Sequence, residues 1–281
     1  MTSVHRIGPL PSVLRSINQW VRVGFYLTTY GLPEMIHILA FNMFRQGRKI
    51  TPNNEFFRRL EQYCLLKSEA HRHRWSHTFC STFGIDIQIE NHLKPTGSNE
   101  KRALVVLLNQ TSLLEVPIVG ILSGSRCGCN QCSYKPSMMP YCFVFQNIEF
   151  ALIPFIGWNI GLSGVVIRRG VHRSTRQGVQ RVLKRMETFQ DSFYMSVEGQ
   201  RSKDGKLSIF KKGPAIIAIQ SQTDIIPISI ENAGNLWPYG HWRIRPGQVK
   251  IIIHDRISTE QMTLDHKDQL TQQLRNIAEN Q

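Results

Sequence analysis

The feature that most constrains the fold of this 281-residue chain is one uninterrupted apolar run, Ala103-Leu104-Val105-Val106-Leu107-Leu108. A continuous apolar run of strand length predicts a strand that is covered on both faces. Coverage on both faces is typical of a largely parallel sheet with helices packed on each side. A second pattern, Ile85-Asp86-Ile87-Gln88-Ile89, alternates strictly and predicts a half-buried strand.

The segments after this run alternate between predicted strands and predicted helices. We predict strands at 141–145, 164–167, 192–197, 225–230 and 248–254, and helices at 173–188, 214–220 and 259–280. Strands that are separated by helices predict an α/β domain. The fold class expected from the sequence is therefore a mixed, largely parallel sheet flanked by helices and preceded by an N-terminal helical segment.

The N-terminal segment has helical periodicity from Pro11 to about Arg45, with an expected break at Gly31-Leu32-Pro33, and again from Thr51 towards Phe83. The apolar stretch at 21–44 contains Pro33, Glu34 and His37, so it does not resemble the roughly 20 apolar residues of a spanning helix. Its aromatic and basic residues suit a helix pair lying in a membrane interface, and an ordinary buried helix pair is the alternative. We therefore predict a membrane-facing segment at 1–80 and an α/β domain at 81–281.

The charge balance favours a polyanionic partner. The chain has 34 Lys and Arg against 20 Asp and Glu, a formal net charge of +14. Such an excess attracts nucleic acid, anionic membranes and phosphate-bearing substrates alike. No recognition helix or stacking-aromatic module is evident in the sequence, so nucleic acid is not an expected partner.

The cysteines leave one question open. Cys127, Cys129 and Cys132 are closely spaced, and Cys142 follows ten residues later. Thiolates this close could hold a metal tetrahedrally, but only Cys129 and Cys132 have the C-x2-C spacing of a zinc knuckle. Reduced thiols in a loop are the alternative, and no metal site is predicted.

Polar residues follow several predicted strands, where ligands collect in α/β sheets. Four blocks stand out: Asn109-Gln110-Thr111-Ser112-Leu113-Leu114-Glu115, Gly164 to Arg169, Glu198-Gly199-Gln200-Arg201-Ser202, and Ile225 to Ile230. In order and spacing they resemble the four blocks of the lysophosphatidate and glycerol-3-phosphate acyltransferase family. Ile153-Pro154-Phe155-Ile156-Gly157-Trp158 is similar to the turn before that family's second block. The resemblance covers about residues 85–256.

The resemblance implies that Gln110 and Glu115 occupy the catalytic positions. The family has a histidine general base and an orienting aspartate there, and this chain has a carboxamide and a longer carboxylate. A carboxamide does not titrate near neutral pH, so it binds a hydroxyl without removing its proton. Glu115 could act as the base itself if burial raised its pKa. Alternatively, these residues form a polar helix start, with Thr111 or Ser112 as N-cap and Glu115 as its reciprocal partner.

The resemblance also implies a phosphate site made of Arg169, Glu198, Gly199 and Arg201. Guanidinium groups suit it because their planar forks bind phosphate oxygens in pairs. The implied function is a membrane-associated acyltransferase of phospholipid metabolism, peripheral or monotopic on the cytoplasmic side. The implied acyl donor is acyl-CoA or acyl-carrier protein, the acceptor is a lysophospholipid or glycerol phosphate, and no cofactor is implied. Loss of the histidine makes a catalytically inactive lipid-binding protein the alternative.

Overall fold

A computed structural model describes residues 9–51, 54–94, 102–122, 142–202 and 205–280. The helices are α1 Pro9–Tyr26, α2 Leu32–Ile50, α3 Glu55–Phe83, α4 Glu115–Leu122, α5 Ile156–Ser163, α6 His172–Phe189, α7 Gly213–Ser221, α8 Ala233–Leu236 and α9 Lys267–Glu279. The strands are β1 Ile85–Asn91, β2 Leu104–Leu107, β3 Cys142–Asn147, β4 Val165–Ile167, β5 Ser192–Ser196, β6 Ile225–Glu231 and β7 Gly247–Ile253.

The seven strands form one sheet in the order β1-β7-β6-β2-β5-β3-β4. Every neighbouring pair is parallel except β6 with β7, which is antiparallel. This confirms the predicted mixed, largely parallel sheet. The carboxyl ends of β2, β5 and β6 therefore meet at one edge, where the first and third polar blocks begin.

The apolar run lies in the middle of the sheet, as its composition predicted. Leu104 and Val106 face one core, with Val182 of α6, Ile217 of α7 and Leu274 of α9. Val105 and Leu107 face the other, with Phe79 of α3 and Ile118 of α4. All four β2 residues are fully buried. Alternate side chains thus enter opposite cores, which is why no position in the run can be polar.

The prediction that the helical segment is interrupted at Gly31-Leu32-Pro33 is wrong, because the chain stays helical there. Leu27–Gly31 forms a π-helical turn that joins α1 to α2, and Leu32-Pro33 begins α2. Proline is tolerated in a first helical turn because its missing N–H has no intrahelical partner there. Within the described residues, no helix has the length and hydropathy needed to cross a bilayer.

The predicted C-terminal helix begins too early at Thr259, since α9 starts at Lys267. The Thr259 hydroxyl donates to the carbonyl oxygens of Ala218 (3.3 Å) and Thr223 (3.1 Å), and Ile257 forms an isolated bridge with Ile225. These contacts hold the segment against α7 and β6 in an irregular path. The helix α4 was predicted only through the alternative interpretation of residues 110–115 as a polar helix start, because the apolar residues that follow have no helical period.

Two further predictions concern organisation and metal binding. The division into 1–80 and 81–281 stays a prediction, and residue 80 lies in the last turn of α3. Cys127, Cys129 and Cys132 lie outside the described residues, whereas Cys142 is buried at the start of β3. In the part of the chain that the structure describes, no three His, Cys, Asp or Glu side chains gather into a metal-binding group.

Candidate active site

The loop between β2 and α4 carries the first polar block and is fixed at its start by Asn109. The Asn109 side chain donates to the Ile230 carbonyl (2.9 Å) and accepts from the Ile230 N–H (2.9 Å). These two bonds continue the pairing of β2 with β6 beyond the end of β2. Gln110 therefore leaves the sheet from a defined position.

Glu115, the first residue of α4, is buried with 4% of its surface exposed. Its Oε1 accepts hydrogen bonds from the N–H groups of Thr111 (2.7 Å) and Ser112 (2.9 Å), and the Gln110 side chain donates to the same carboxylate. Burial raises the Glu115 pKa to about 8, although these bonds and the nearby Arg201 charge oppose the rise. The structure thus joins the two predicted catalytic positions and also shows Glu115 bonding back to the helix start.

Glu198 connects the first block to the third. This buried carboxylate accepts from the Gln110 N–H (2.6 Å) through Oε2 and from the N–H (2.6 Å) and hydroxyl (3.0 Å) of Ser208 through Oε1. The Ser202 N–H in turn donates to the Gln110 carbonyl (2.7 Å). Glu198 therefore sets the separation of the loops on either side of the site, and its predicted part in closing a phosphate pocket stays a prediction.

Arg169 and Gly199 meet across the gap between the second and third blocks. The Arg169 Nη2 donates to the Gly199 carbonyl (2.8 Å), and its backbone N–H donates to the Asn147 side chain (3.2 Å). Gly199 has φ +71°, a left-handed conformation that side-chain-bearing residues rarely adopt, while an added Cβ would make only an ordinary contact of 3.8 Å with Lys211 Cγ. The loop therefore requires glycine for its backbone conformation.

Arg201 lies at the centre of the site, near Glu115. Its guanidinium is 4.7 Å from the ring centroid of Tyr239, a residue of the loop after α8. Sequence analysis missed Tyr239, because no motif links this loop to the third block. A cation–π contact of this kind holds a guanidinium in place without consuming its hydrogen-bond donors.

Two pockets meet at these residues. One is narrow and largely apolar, with a volume of about 80 Å³, and its walls include Leu27, Val116, Val119, Val144 and Ile160. The other has a volume of about 740 Å³ and is polar and basic, and its lining residues include Arg169, Ser202, Lys206, Ser208 and Tyr239. Gln110, Phe150 and Arg201 line both pockets. An amphiphilic ligand could thus place its apolar part on one side of Gln110 and an anionic group on the other.

The apolar pocket also contains a buried polar cluster. Glu34 of α2 pairs with Arg72 of α3 (Oε1 to Nε, 3.0 Å), and the Asn159 side chain donates to Glu34 Oε2 (3.1 Å). Burial raises the Glu34 pKa, and Arg72 opposes the rise. The cluster ties α2, α3 and α5 together around the pocket. Among the described residues, no histidine lines either pocket.

Comparisons with known proteins agree with this architecture. A family model described as Acyltransferase matches residues 88–231, about half of the chain. A 1-acyl-sn-glycerol-3-phosphate acyltransferase of Chlamydomonas reinhardtii is 35% identical over 117 residues, which are 41% of this chain and 35% of that protein. The protein of the same name from Saccharomyces cerevisiae is 23% identical over 220 residues, 75% of this chain and 67% of its own length.

The chain also has the same fold as a protein of known structure. The crystal structure of the 1-acyl-sn-glycerophosphate acyltransferase PlsC from Thermotoga maritima matches with a TM-score of 0.57 and 19% identity, covering 92% of this chain and 94% of that one. At this identity the match concerns the fold alone. The sequence match to the Chlamydomonas protein spans about a third of that protein's length.

Proposed function

The chain belongs to the acyltransferase family, and on that premise we propose that it transfers a fatty acyl chain from acyl-CoA or acyl-carrier protein to the free hydroxyl of a lysophospholipid. Lysophosphatidate is the acceptor that best fits the site. The proposal is supported above all by one observation, the meeting of an apolar pocket and a basic pocket at Gln110 and Arg201.

In this proposal the basic pocket holds the acceptor's phosphate. Among the described residues of its lining, Arg169, Arg201 and Lys206 supply three positive charges, against one carboxylate, that of Glu149. Arg201 is held by Tyr239 and Arg169 by the Gly199 carbonyl, so both guanidinium groups are already placed before the ligand arrives. Preplaced donors lose less conformational entropy on binding than free side chains do.

Gln110 and Glu115 divide the work of a general base in this proposal. With its amide group donating to Glu115, Gln110 holds that carboxylate in place, and the acceptor's hydroxyl donates its hydrogen bond directly to the ionised form of the Glu115 carboxylate. As the hydroxyl oxygen attacks the thioester carbonyl carbon, its proton passes to the Glu115 carboxylate. Collapse of the tetrahedral intermediate breaks the carbon–sulfur bond, and the departing thiolate takes the proton from Glu115.

One assay tests the proposal: purified protein with long-chain acyl-CoA and lysophosphatidate, with phosphatidate measured by mass spectrometry. We expect turnover by the wild type and its loss in Glu115→Ala, because the variant has no group that can accept the proton. Loss of a general base costs about 10²–10⁴-fold. Equal turnover by wild type and Glu115→Ala would contradict the assigned role of Glu115.

A second function is favoured by one observation, the amide at position 110 in a site where no described histidine lines a pocket. In this alternative the protein binds lysophosphatidate without converting it. A silent wild type, together with a Gln110→His variant that gains turnover and unchanged lysophosphatidate binding in both, would support it. Product formed by the wild type would exclude it.

We further propose that α1 and α2 lie on a membrane surface. Leu14, Val21 and Phe25 share one face of α1 and are 62%, 66% and 65% exposed, and Ile36, Leu39 and Met43 form a similar exposed stripe on α2. The Asn42 side chain joins α2 to the Leu162 carbonyl of α5, whose own outer face includes the exposed Trp158. Large exposed apolar faces mark interaction surfaces, and amphipathic helices bind lipid interfaces.

Co-sedimentation with phosphatidylcholine vesicles tests the membrane proposal. We expect a Val21→Asp/Phe25→Asp variant to lose binding, because two charges enter the apolar face. Leu264→Asp is the matched control, since this exposed leucine lies beside α9 on the opposite side of the sheet. Equal binding by the double variant and the wild type would exclude α1 as the docking face.

A further inference from the structure

A second basic pocket lies beside α1, apart from the site already described. It has a volume of about 570 Å³ and lies between α1, the carboxyl end of α3 and the loop at 238–246. Its charged lining residues are Arg15, Arg243 and Arg245, with His241 beside them, and no acidic residue of the described ranges lines it. The pocket therefore concentrates positive charge, which neither packing nor the proposed acyl transfer requires.

The three guanidinium groups are free to bind a ligand. No described carboxylate lies within ion-pair distance of Arg15, Arg243 or Arg245. Four other arginines each pair with a carboxylate: Arg45, Arg72, Arg185 and Arg256. The carboxyl end of α3 contributes about half a negative charge, which three full positive charges exceed. The Thr82 carbonyl at that end is moreover already bonded to the Gln19 side chain (3.1 Å). The net field in the pocket attracts anions.

The pocket lies beside the helix face that we propose to contact the membrane. Arg15 follows Leu14 on α1, about 100° around the helix from the exposed apolar face. Trp242 is 48% exposed, and the Arg243 guanidinium lies 5.2 Å from the centroid of the Trp242 ring. The Trp20 Nε1–H donates to the Trp242 carbonyl (2.9 Å) and so ties this loop to α1. Tryptophan and arginine beside an apolar face are characteristic of the membrane–water boundary.

The same loop connects the pocket to the active site. Tyr239, which holds Arg201, is four residues before Arg243 in the chain. An anionic group bound by Arg243 and Arg245 would therefore hold the loop that supports Arg201. The backbone from Tyr239 to Arg243 therefore links anion binding at this pocket to the position of Arg201.

We propose that this pocket binds the phosphate of an anionic phospholipid and so orients the molecule on anionic membranes. The inference rests on the membrane docking of α1 proposed above and is independent of the chemistry at Gln110 and Glu115. Recognition is by charge and hydrogen bonding, since guanidinium groups bind phosphate oxygens in pairs. The bound lipid is a membrane constituent and is distinct from the acceptor held by Arg169 and Arg201.

Vesicle co-sedimentation tests the proposal, with vesicles of phosphatidylcholine alone and of phosphatidylcholine mixed with phosphatidylglycerol. We expect Arg243→Gln/Arg245→Gln to weaken binding to the mixed vesicles by about 25-fold, because each basic residue near an anionic surface contributes a factor of about five. Binding to phosphatidylcholine alone should stay unchanged, which also shows that the variant is folded. Arg15→Gln should shift binding in the same direction.

The matched control is Arg173→Gln/Arg176→Gln, which removes two exposed charges from α6. An equal loss in this control would show unspecific attraction and overturn the proposal, as would an unchanged preference in the pocket variant. If the pocket variant instead loses affinity for coenzyme A in solution and keeps its vesicle preference, the site binds nucleotide phosphate and the proposal is wrong. A failure of acyl transfer is seen separately, in the turnover assay.

Discussion

The Glu115 carboxylate accepts hydrogen bonds from the backbone N–H groups of Thr111 and Ser112. It also accepts a hydrogen bond from the Gln110 side chain. The bonds to the backbone explain why a carboxylate at this position supports the start of α4. Glu115 also lines the apolar pocket, where it bonds the Gln110 side chain. The structural interpretation of this residue is therefore compatible with the proposed catalytic one.

A pH dependence of stability follows from the raised pKa of Glu115. The carboxyl titrates near 4.5 in the unfolded chain and near 8 in the folded one, so the folded state binds the proton more tightly. The resulting stabilisation is fully present below pH 4.5 and is lost as pH rises through 8. Glu115→Gln resembles the protonated form, so we expect its stability advantage over the wild type to grow across this window by up to about 5 kcal/mol.

Thermal and urea unfolding at several pH values measures this difference between the two proteins. Other titrating groups, including the buried His73 of α3, contribute equally to both proteins and cancel. Parallel stability curves for wild type and Glu115→Gln would show that the Glu115 pKa is not raised in the folded state.

The proposed phosphate site gives a prediction with a neighbouring control. We expect Arg169→Gln and Arg201→Gln each to raise KM for lysophosphatidate by about 10- to 100-fold, since a hydrogen bond to a charged group contributes about 1.5–3 kcal/mol. Arg168→Gln should change KM little, because this exposed side chain lies outside the lining of the basic pocket. With monoacylglycerol, which lacks the phosphate, all three variants should match the wild type. Equal effects with both acceptors would contradict phosphate binding.

At the scale of elements, the site depends on how α4 packs against α3. Gly120 of α4 lies so close to α3 that an added Cβ would overlap the Ser76 hydroxyl and lie 3.2 Å from Ser76 Cβ and 3.3 Å from Arg72 Cγ. Because Glu115 begins α4 and Arg72 pairs with Glu34, this close approach helps to set the width of the apolar pocket.

We expect Gly120→Ala to lower the free energy of unfolding by about 1–3 kcal/mol, as overpacking does in a tight core. Adding Ser76→Ala should recover part of the loss, because it removes the overlapping oxygen. Gly24→Ala is the control, since a Cβ added at Gly24 in α1 would have no heavy atom within 4 Å and alanine favours helix. Denaturant unfolding measures all three, and equal effects of the two glycine changes would contradict the packing argument.

At the scale of the whole molecule, Arg45 joins the N-terminal helices to the sheet. Its guanidinium donates to Glu61 of α3 (3.0 Å) and to both oxygens of Asp191 before β5, and Arg185 of α6 pairs with the same aspartate. The Phe189 ring centroid lies 3.9 Å from the guanidinium. A single buried cation thus connects α2, α3 and the start of β5.

Arg45→Gln should lower the free energy of unfolding by about 3–5 kcal/mol, because it leaves Glu61 and Asp191 buried with fewer partners. Arg59→Gln is the control, since Arg59 pairs with Glu55 on an exposed helix face and should matter by no more than about 0.5 kcal/mol. We expect one cooperative transition shifted as a whole. A separate early transition of the helices alone would instead support an independent N-terminal unit.

The local pattern determined much of the fold of this chain. The run from Ala103 to Leu108 predicted a strand covered on both faces, and the alternation of strands and helices after it predicted the α/β sheet. Residues on the buried face of a strand are apolar, so a strand that is apolar on both faces can be predicted from the sequence to lie in the middle of the sheet. Block order singled out Gln110 and Glu115 as the catalytic positions, and that assignment stays a prediction.

The tertiary structure decided which distant segments meet. Tyr239 beside Arg201, Glu34 with Arg72, and Arg45 with Asp191 join residues that lie far apart in the chain, and no local pattern carries that information. The apolar residues of α4 and the tethered start of α9 were misjudged for the same reason, since tertiary contacts outweigh local preference there. The sequence by itself specified the buried strand and its polar blocks, whereas packing alone brought two pockets together at Gln110 and Arg201.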